Sequence, residues 1–138
     1  MSVQQFEILL NPRAQGMHLV TNEVFDQIPG IASISSGLLH IFIQHSSASI
    51  SINEWADPDV RQDLENFYAE LCNNKSYYMH TAEGLDDMPS HVKASMLGSS
   101  ISIPITSGRA NLGVWQGVIL GEHRIQGGSR KLIVTLIH

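Results

Sequence analysis

Two histidines and three carboxylates lie close together in the middle of the chain, within residues 80–91. They are His80, Glu83, Asp86, Asp87 and His91. Neutral imidazoles combined with carboxylate or water commonly bind Zn²⁺ or another transition metal, so we predict His80 and His91 as metal ligands. The carboxylates are also the ligand type that Mg²⁺ shares with a phosphate. The two aspartates have a second interpretation, because acids at the start of a helix stabilise its dipole.

Two further histidines stand beside hydroxyl or basic groups. His45 precedes Ser46 and Ser47, whose hydroxyls are suited to hold a phosphate oxygen, and His123 precedes Arg124. We predict His45 and His123 as additional metal ligands or as acid–base groups, because imidazole titrates near neutral pH. Each also has a structural interpretation. His45 would then be a histidine at the edge of the core that is hydrogen-bonded to the backbone, and His123 would lie on the surface at the end of a strand.

A third group of residues has the chemistry to bind a phosphorylated heterocycle. Arg109 and Arg124 are suited to hold phosphate oxygens, although an arginine beside a glycine turn is also found in an ordinary hairpin. Trp115 can stack on a flat ring and Gln116 can hydrogen-bond to it, with core or interface packing as the other interpretation of Trp115. Asn53, which follows His45, Ser46 and Ser47 in the sequence, completes the predicted substrate-binding set.

The composition excludes several classes of protein. The 138 residues carry a formal net charge of -5 with 15% charged residues, which argues against a generic nucleic-acid binder and its basic patch. No apolar run approaches the roughly 20 residues that span a bilayer, and the first residues do not resemble a signal peptide, so we expect no membrane partner. The one cysteine, Cys72, is expected to pack in the interior, and its lack of a partner favours a reducing, cytoplasmic setting. His18, His40 and His138 are expected to be structural or solvated.

Alternating apolar residues predict the strands that must position these groups. The predicted strands cover residues 6–10, 39–43, 48–52, 101–105, 112–120 and 132–137, the last of them buried on both faces. Asp57-Pro58 predicts the start of one helix, Pro89 and Gly98 bound a second, and residues 20–28 allow a short third. We therefore predict a single α+β domain over residues 1–138, a mostly antiparallel β-sandwich with a few helices on one side.

The predicted strand at 112–120 has a glycine-rich face, carrying Gly113, Gly117 and, just beyond, Gly121. Glycines in a strand indicate the close approach of another backbone or of a ligand. Because this strand also has little charge, burial between subunits would stabilise it, and we expect an oligomer.

Four motifs together resemble the YjbQ-type family, the secondary thiamine-phosphate synthase family. They read HSSASISINE (45–54), HTAEGLDDMPSHVK (80–93), SIPITSGR (102–109) and LGVWQGVILGEHR (112–124). The resemblance extends from Phe6 to Leu136. It departs from the family pattern at Ser46, where threonine is usual, and at Ala110 and Val114, none of which belongs to the histidine and carboxylate set.

The resemblance implies an α+β sandwich, a homotrimer and a site between subunits. The implied reaction joins hydroxymethylpyrimidine diphosphate to thiazole phosphate and releases pyrophosphate, as the main or a secondary activity. A Zn²⁺ or Mg²⁺ cofactor near Glu83, Asp86 and Asp87 would offset the charge of the leaving diphosphate. Glu83 and Asp87 are therefore predicted to be catalytic, together with His45 and His123, which would move protons. Two alternatives stay open: a metal-dependent hydrolase, and a metal- or ligand-binding trimer with another role.

Overall fold

Eight strands form two antiparallel sheets in the computed structural model, which describes residues 1–138. The strands are β1 (Val3–Leu10), β2 (Gly16–Leu19), β3 (Ser36–Ile43), β4 (Ala48–Glu54), β5 (Ser100–Thr106), β6 (Arg109–Ala110), β7 (Gln116–Glu122) and β8 (Arg130–Ile137). Sheet A has the order β1-β8-β3-β5-β6 and sheet B the order β2-β7-β4. The predicted α+β class with an antiparallel sandwich is confirmed. The short strands β2 and β6 were not predicted.

One apolar core lies between the two sheets. Alternation places Leu39 and Ile41 of β3 on the inner face of sheet A, and Val118 and Leu120 of β7 on the inner face of sheet B. All four are at most 1% exposed. The regular period-two pattern of the sequence thus produces two apolar faces that bury each other.

Strand β8 differs from its prediction in burial. Leu132, Val134 and Leu136 face the core, but Ile133 and Ile137 on the other side are only half-buried. The prediction of burial on both faces was wrong because no helix covers the outer face of sheet A. Leu38 and Phe42 of the neighbouring strand are exposed on that same face.

Strand β7 is shifted toward the C-terminus relative to its prediction. It begins at Gln116, because residues 113–116 form a turn in which the Gln116 side chain also accepts a hydrogen bond from the Gly113 N–H at 2.8 Å. As the middle strand of sheet B it is buried from Gly117 to Glu122. Gly117 and Gly121 therefore lie inside the chain and are not available to another subunit, whereas Gly113 is exposed before the strand begins. The argument for an oligomer from burial of this strand was wrong.

Three helices complete the domain: α1 (Thr21–Phe25), α2 (Pro58–Cys72) and α3 (Asp87–Leu97), with one 3-10 turn at Ile31–Ser33. Asp57 caps α2 as predicted, accepting a hydrogen bond from the Asp59 N–H at 2.9 Å. Helix α3 begins two residues before the predicted Pro89 and ends at Gly98, whose φ of 100° favours glycine. Helices α2 and α3 pack on sheet B. No helix has the length and hydropathy needed to cross a bilayer.

Candidate metal centre

Three side chains of types that can bind a metal meet at the first turn of α3. Asp87 and His91 are four residues apart and share one helix face, while His80 comes from the preceding loop. The Asp87 Oδ2 atom lies 2.5 Å from His80 Nε2 and 3.4 Å from His91 Nε2. The three ligand atoms all lie within 4.8 Å of one another. Two of the four histidines predicted as ligands therefore converge, together with a carboxylate that was predicted to be catalytic.

The second ring nitrogen of His91 shows how that side chain is oriented. His91 Nδ1 lies 2.9 Å from the Ser46 carbonyl oxygen, which can only accept a hydrogen bond, so Nδ1 carries a hydrogen. In neutral His91 this directs the Nε2 lone pair toward the negative Asp87 Oδ2. A lone pair and a carboxylate oxygen repel each other unless a proton or a metal cation lies between them. Metal-ligating histidines usually have such a second hydrogen bond to a carbonyl.

Arg124 organises the carboxylates behind this group. Its Nε donates to Asp86 Oδ2 at 2.8 Å, its Nη1 to Asp87 Oδ1 at 2.6 Å and its Nη2 to the Glu83 carbonyl at 3.0 Å. The structure thus places Arg124 in internal ion pairs, with all three nitrogens engaged, rather than in an open phosphate-binding position. Because Arg124 takes Oδ1 of Asp87, only Oδ2 faces the two histidines.

Asp86 and Asp87 are both held in the ionised form. Burial raises the pKa of Asp86, but hydrogen bonds from the Ile125 N–H and from Arg124 lower it overall. Burial likewise raises the pKa of Asp87, and the hydrogen bond with His80 and the charge of Arg124 outweigh it, giving about 2. Both aspartates lie at the start of α3, where acids stabilise the helix dipole as the second interpretation predicted, but the Asp86 side chain makes no capping hydrogen bond to the helix.

The open side of the group is accessible. The His80 side chain is 45% exposed and that of His91 31% exposed, whereas Asp87 is 2% exposed. The Glu83 carboxylate lies at the rim, with Oε2 3.6 Å from His80 Nε2. The Ser46 hydroxyl belongs to an exposed residue on the segment whose carbonyl holds His91. A cation bound here would keep coordination positions free for water or substrate.

His45 is not part of this group. Its Nε2 accepts a hydrogen bond from the Lys131 N–H at 2.8 Å. Burial and the charge of Arg130 lower the pKa of His45. The backbone-bonded interpretation therefore describes His45 well. Ser47 lies close by, its carbonyl accepting a hydrogen bond from Arg130 at 3.2 Å.

His123 lies in a separate, fully buried cluster. Its Nε2 lies 2.9 Å from Ser49 Oγ, and its Nδ1 has no hydrogen-bond partner. Burial, with the nearby charges of Lys93 and Arg130, lowers the pKa of His123 to about 3. The surface interpretation of His123 is wrong, since its side chain is 0% exposed.

Lys93 was missed by the sequence reasoning. It lies on the buried face of α3 with 1% exposure, and its Nζ has no hydrogen-bond partner. Glu65 on α2 faces it, with one carboxylate oxygen also unpartnered. A lysine in a helix predicts a solvated position, and no pattern in the sequence distinguishes this one.

The remaining predicted substrate-binding residues lie at the opposite end of the sandwich. The register pairs Glu54 with Gln116 and Ala48 with Glu122, so Trp115 and Gln116 are about 20 Å along β7 from the end that carries His80, Asp87 and His91. Asn53 pairs with Gly117 at that far end. Arg109 follows the turn at the far end of β5, where it is exposed. One chain does not bring these four residues to the histidines.

Trp115 has an aromatic neighbour that the sequence reasoning missed. The Trp55 and Trp115 ring centroids are 6.4 Å apart, and Trp55 Nε1 donates to the Val114 carbonyl at 2.8 Å. Trp55 and Gln116 line a cleft of about 380 Å³ at this end. Trp115 itself is 59% exposed, which excludes core packing.

The model of the family described as "UPF0047 protein YjbQ-like" matches residues 5–138. The chain belongs to this family. Its relatives within the YjbQ-like family include YjbQ from Escherichia coli, 48% identical over 132 residues that cover 96% of each protein. YugU from Bacillus subtilis is 36% identical over 100 residues, covering 72% of each protein.

Solved structures of YjbQ-like proteins share the fold. A YjbQ/UPF0047 family protein from Clostridium acetobutylicum is 33% identical, with a TM-score of 0.82 over 96% of this chain and 99% of that one. A YbjQ-like protein of unknown function from Sulfolobus solfataricus has a TM-score of 0.85 over 99% and 97% of the chains, at 22% identity. The predicted family is confirmed, and the second similarity shows the fold alone.

Proposed function

We propose that the chain is a metal-dependent transferase of the thiamine-phosphate-synthase type. In this reaction the thiazole nitrogen bonds to the methylene carbon of hydroxymethylpyrimidine diphosphate. The carbon–oxygen bond to the diphosphate breaks, and its electron pair leaves with pyrophosphate. The observation that carries the proposal is the convergence of His80, Asp87 and His91 on one open point.

The ligand set favours a transition metal over Mg²⁺. Two imidazoles and one carboxylate with open positions form a common catalytic zinc site, whereas Mg²⁺ prefers oxygen ligands alone. Asp86 and one oxygen of Asp87 are also already bonded to Arg124, which leaves few oxygens for Mg²⁺. A divalent cation held there supplies electrostatic stabilisation of the leaving diphosphate.

The chain's own residues would then bind and orient the substrate around that point. The exposed Ser46 hydroxyl can donate to a phosphate oxygen, and the Glu83 carboxylate at the rim can accept a proton. Arg124 contributes indirectly, because its ion pair with Asp87 fixes the orientation of that carboxylate.

Recognition of the second heterocycle by Trp115 and Arg109 would require another copy of the chain, since both lie at the far end of the sandwich. The proposed homotrimer would meet this need. The exposed Leu38 and Phe42 on the outer face of sheet A, together with the exposed Val114 beside Trp115, offer apolar surface for such contacts.

A metal-dependent hydrolase is the second candidate, and the position of Glu83 favours it. Its carboxylate lies 3.6 Å from His80 Nε2, where it could accept a proton from a water molecule if His80, Asp87 and His91 held a cation that acidifies that water. The hydrolase needs one substrate and no second copy.

The test is a pyrophosphate-release assay on zinc-loaded chain with each thiamine precursor alone and with both. The transferase requires both precursors, and the hydrolase turns over one. Asp87→Asn and His91→Gln should abolish turnover. The matched control His18→Gln, at a histidine bonded to the Ala14 carbonyl outside the site, should leave it unchanged. Full turnover in Asp87→Asn would overturn the proposal.

A further inference from the structure

An apolar groove opens beside the metal centre, between the end of α2, residues 77–80 and α3. It has a volume of about 500 Å³, and eight of its nine lining residues are hydrophobic. Helix α3 contributes Met88, Val92 and Met96, which are spaced four residues apart and form one continuous stripe. Tyr77 and Met79, from the segment before α3, also line it. We call this feature the α2–α3 groove.

His80 connects the α2–α3 groove to the metal centre. It is the one polar residue that lines the groove, and its Nε2 lies 2.5 Å from Asp87 Oδ2. The stripe on α3 is also adjacent in sequence to the other two ligands, since Met88 follows Asp87 and Val92 follows His91. A molecule bound to the cation therefore has the groove as its nearest apolar surface on the same chain.

The α2–α3 groove has the composition and size of a small-molecule site. Such sites measure roughly 300–1,000 Å³ and combine apolar walls with a few polar groups. Tyr77 is 74% exposed and Met79 is 94% exposed, so a ligand would remove much apolar surface from water. Methionine side chains are flexible and polarisable, and so adapt to flat rings of different shapes.

We infer that the α2–α3 groove binds the flat, apolar part of a substrate whose phosphate group lies at the metal centre. The inference rests on the proposed function and adds the surface that selects the substrate. It assigns ring recognition by this chain to Tyr77, Met88 and Met96, whereas the sequence pointed to Trp115, about 20 Å away. The substrate class is an aryl or heteroaryl phosphate rather than a small aliphatic phosphate.

Methyl NMR of the five methionines tests this directly. The probes are 1-naphthyl phosphate and inorganic phosphate, each added to zinc-loaded chain with ¹³C-labelled methionine methyl groups. We expect the naphthyl compound to shift the signals of Met79, Met88 and Met96 and to leave Met17, which lies on β2, unchanged. We expect it to bind at least about tenfold more tightly than inorganic phosphate, because the ring loses contact with water.

Variants separate the groove from the metal centre. Met88→Gln and Met96→Gln nearly preserve side-chain volume and should bring the affinity for 1-naphthyl phosphate down toward that of inorganic phosphate. Zinc affinity should stay unchanged in both. Leu9→Gln, at an exposed residue of β1, is the matched control and should change neither affinity.

The possible failures are distinguishable. If zinc does not bind, the proposed function fails and the inference fails with it. If zinc and inorganic phosphate bind but the naphthyl group adds no affinity, the proposed metal function stands and the groove inference is overturned. If the groove methionine signals shift with protein concentration alone, a second copy of the chain covers the groove, which also overturns the inference.

Discussion

His91 is held by the backbone of Ser46 so that its free ring nitrogen faces Asp87. The Nδ1 atom lies 2.9 Å from the Ser46 carbonyl oxygen, and Nε2 lies 3.4 Å from Asp87 Oδ2. The two residues come from the segment before β4 and from α3, which is why packing of the helix on sheet B forms the site. Because the orientation of His91 is built into the fold, little reorganisation would be needed to bind the proposed cation.

Arg124→Gln should weaken zinc binding about 10- to 100-fold without removing a ligand. The variant loses the ion pair at 2.6 Å that holds Asp87 Oδ1, so the carboxylate is less firmly oriented. Isothermal titration with zinc measures the effect. Arg61→Gln, at an arginine outside the site that donates a hydrogen bond to the Trp55 carbonyl, is the control. An unchanged zinc affinity in Arg124→Gln would show that Arg124 does not position the ligand.

His123 should make the stability of the fold dependent on pH in the acidic range. Its pKa of about 3 lies below the usual 6.5 because of burial and of the charges of Lys93 and Arg130, and Ser49 Oγ is its hydrogen-bond partner. The neutral ring is therefore favoured in the folded state. This stability is present above pH 6.5 and is lost as the pH falls toward 3, at about 1.4 kcal/mol per pH unit.

Urea unfolding of His123→Gln between pH 7 and pH 4 measures this contribution. Glutamine keeps a polar group near Ser49 but does not titrate, so the decline of the free energy of unfolding with falling pH should become shallower. His138→Gln, at an exposed histidine, should keep the original slope. Equal slopes in the wild-type chain and His123→Gln would contradict the prediction.

Gly121→Ala should destabilise the fold by about 1–3 kcal/mol. A Cβ atom at this position would lie 2.2 Å from Ser49 Oγ and 2.6 Å from His123 Cε1, both in fully buried side chains. The free energy of unfolding in urea is the measurement, and Ser49→Gly added to Gly121→Ala should recover part of the loss. A neutral Gly121→Ala would mean that the buried cluster is loosely packed.

Lys93→Met should stabilise the fold by about 1–4 kcal/mol, because a buried ammonium without a hydrogen-bond partner is replaced by an apolar side chain of similar volume. Glu65 faces the lysine, and burial already raises the pKa of that carboxyl, so it can become neutral when the positive charge is removed. Thermal and urea unfolding at neutral pH show whether the variant is more or less stable than the wild-type chain. Lys131→Met, at an exposed pair with Glu7, should change the stability by less than about 0.5 kcal/mol. Destabilisation by Lys93→Met would show that the lysine has a favourable buried partner.

Local patterns in the sequence predicted the features that depend on neighbouring residues. Period-two alternation located β3, and Asp57-Pro58 located the start of α2, because strand faces and helix caps are decided within a few residues. The proximity of His80 and His91 could be predicted for a similar reason, since they lie in one loop and in the helix turn that follows it.

The local patterns did not predict which residues from distant strands lie close together, because that depends on the register between strands. The pairing of Ala48 with Glu122 and of Glu54 with Gln116 separates the histidines from Trp115, and register depends on contacts far apart in sequence. Burial of Lys93 also depends on how α3 packs against sheet B, which its own neighbours in sequence do not indicate.

Zinc titration of the purified chain, wild-type and Asp87→Asn, tests the metal centre most directly. We predict one zinc ion per chain in the wild-type protein, with its affinity largely lost in Asp87→Asn and also in His91→Gln. The His45→Gln variant should bind zinc as the wild-type chain does, because the ring nitrogen of His45 is bonded to the Lys131 N–H. Absence of zinc binding, or binding that survives in Asp87→Asn and is lost in His45→Gln, would contradict the assignment of His80, Asp87 and His91 as the metal site.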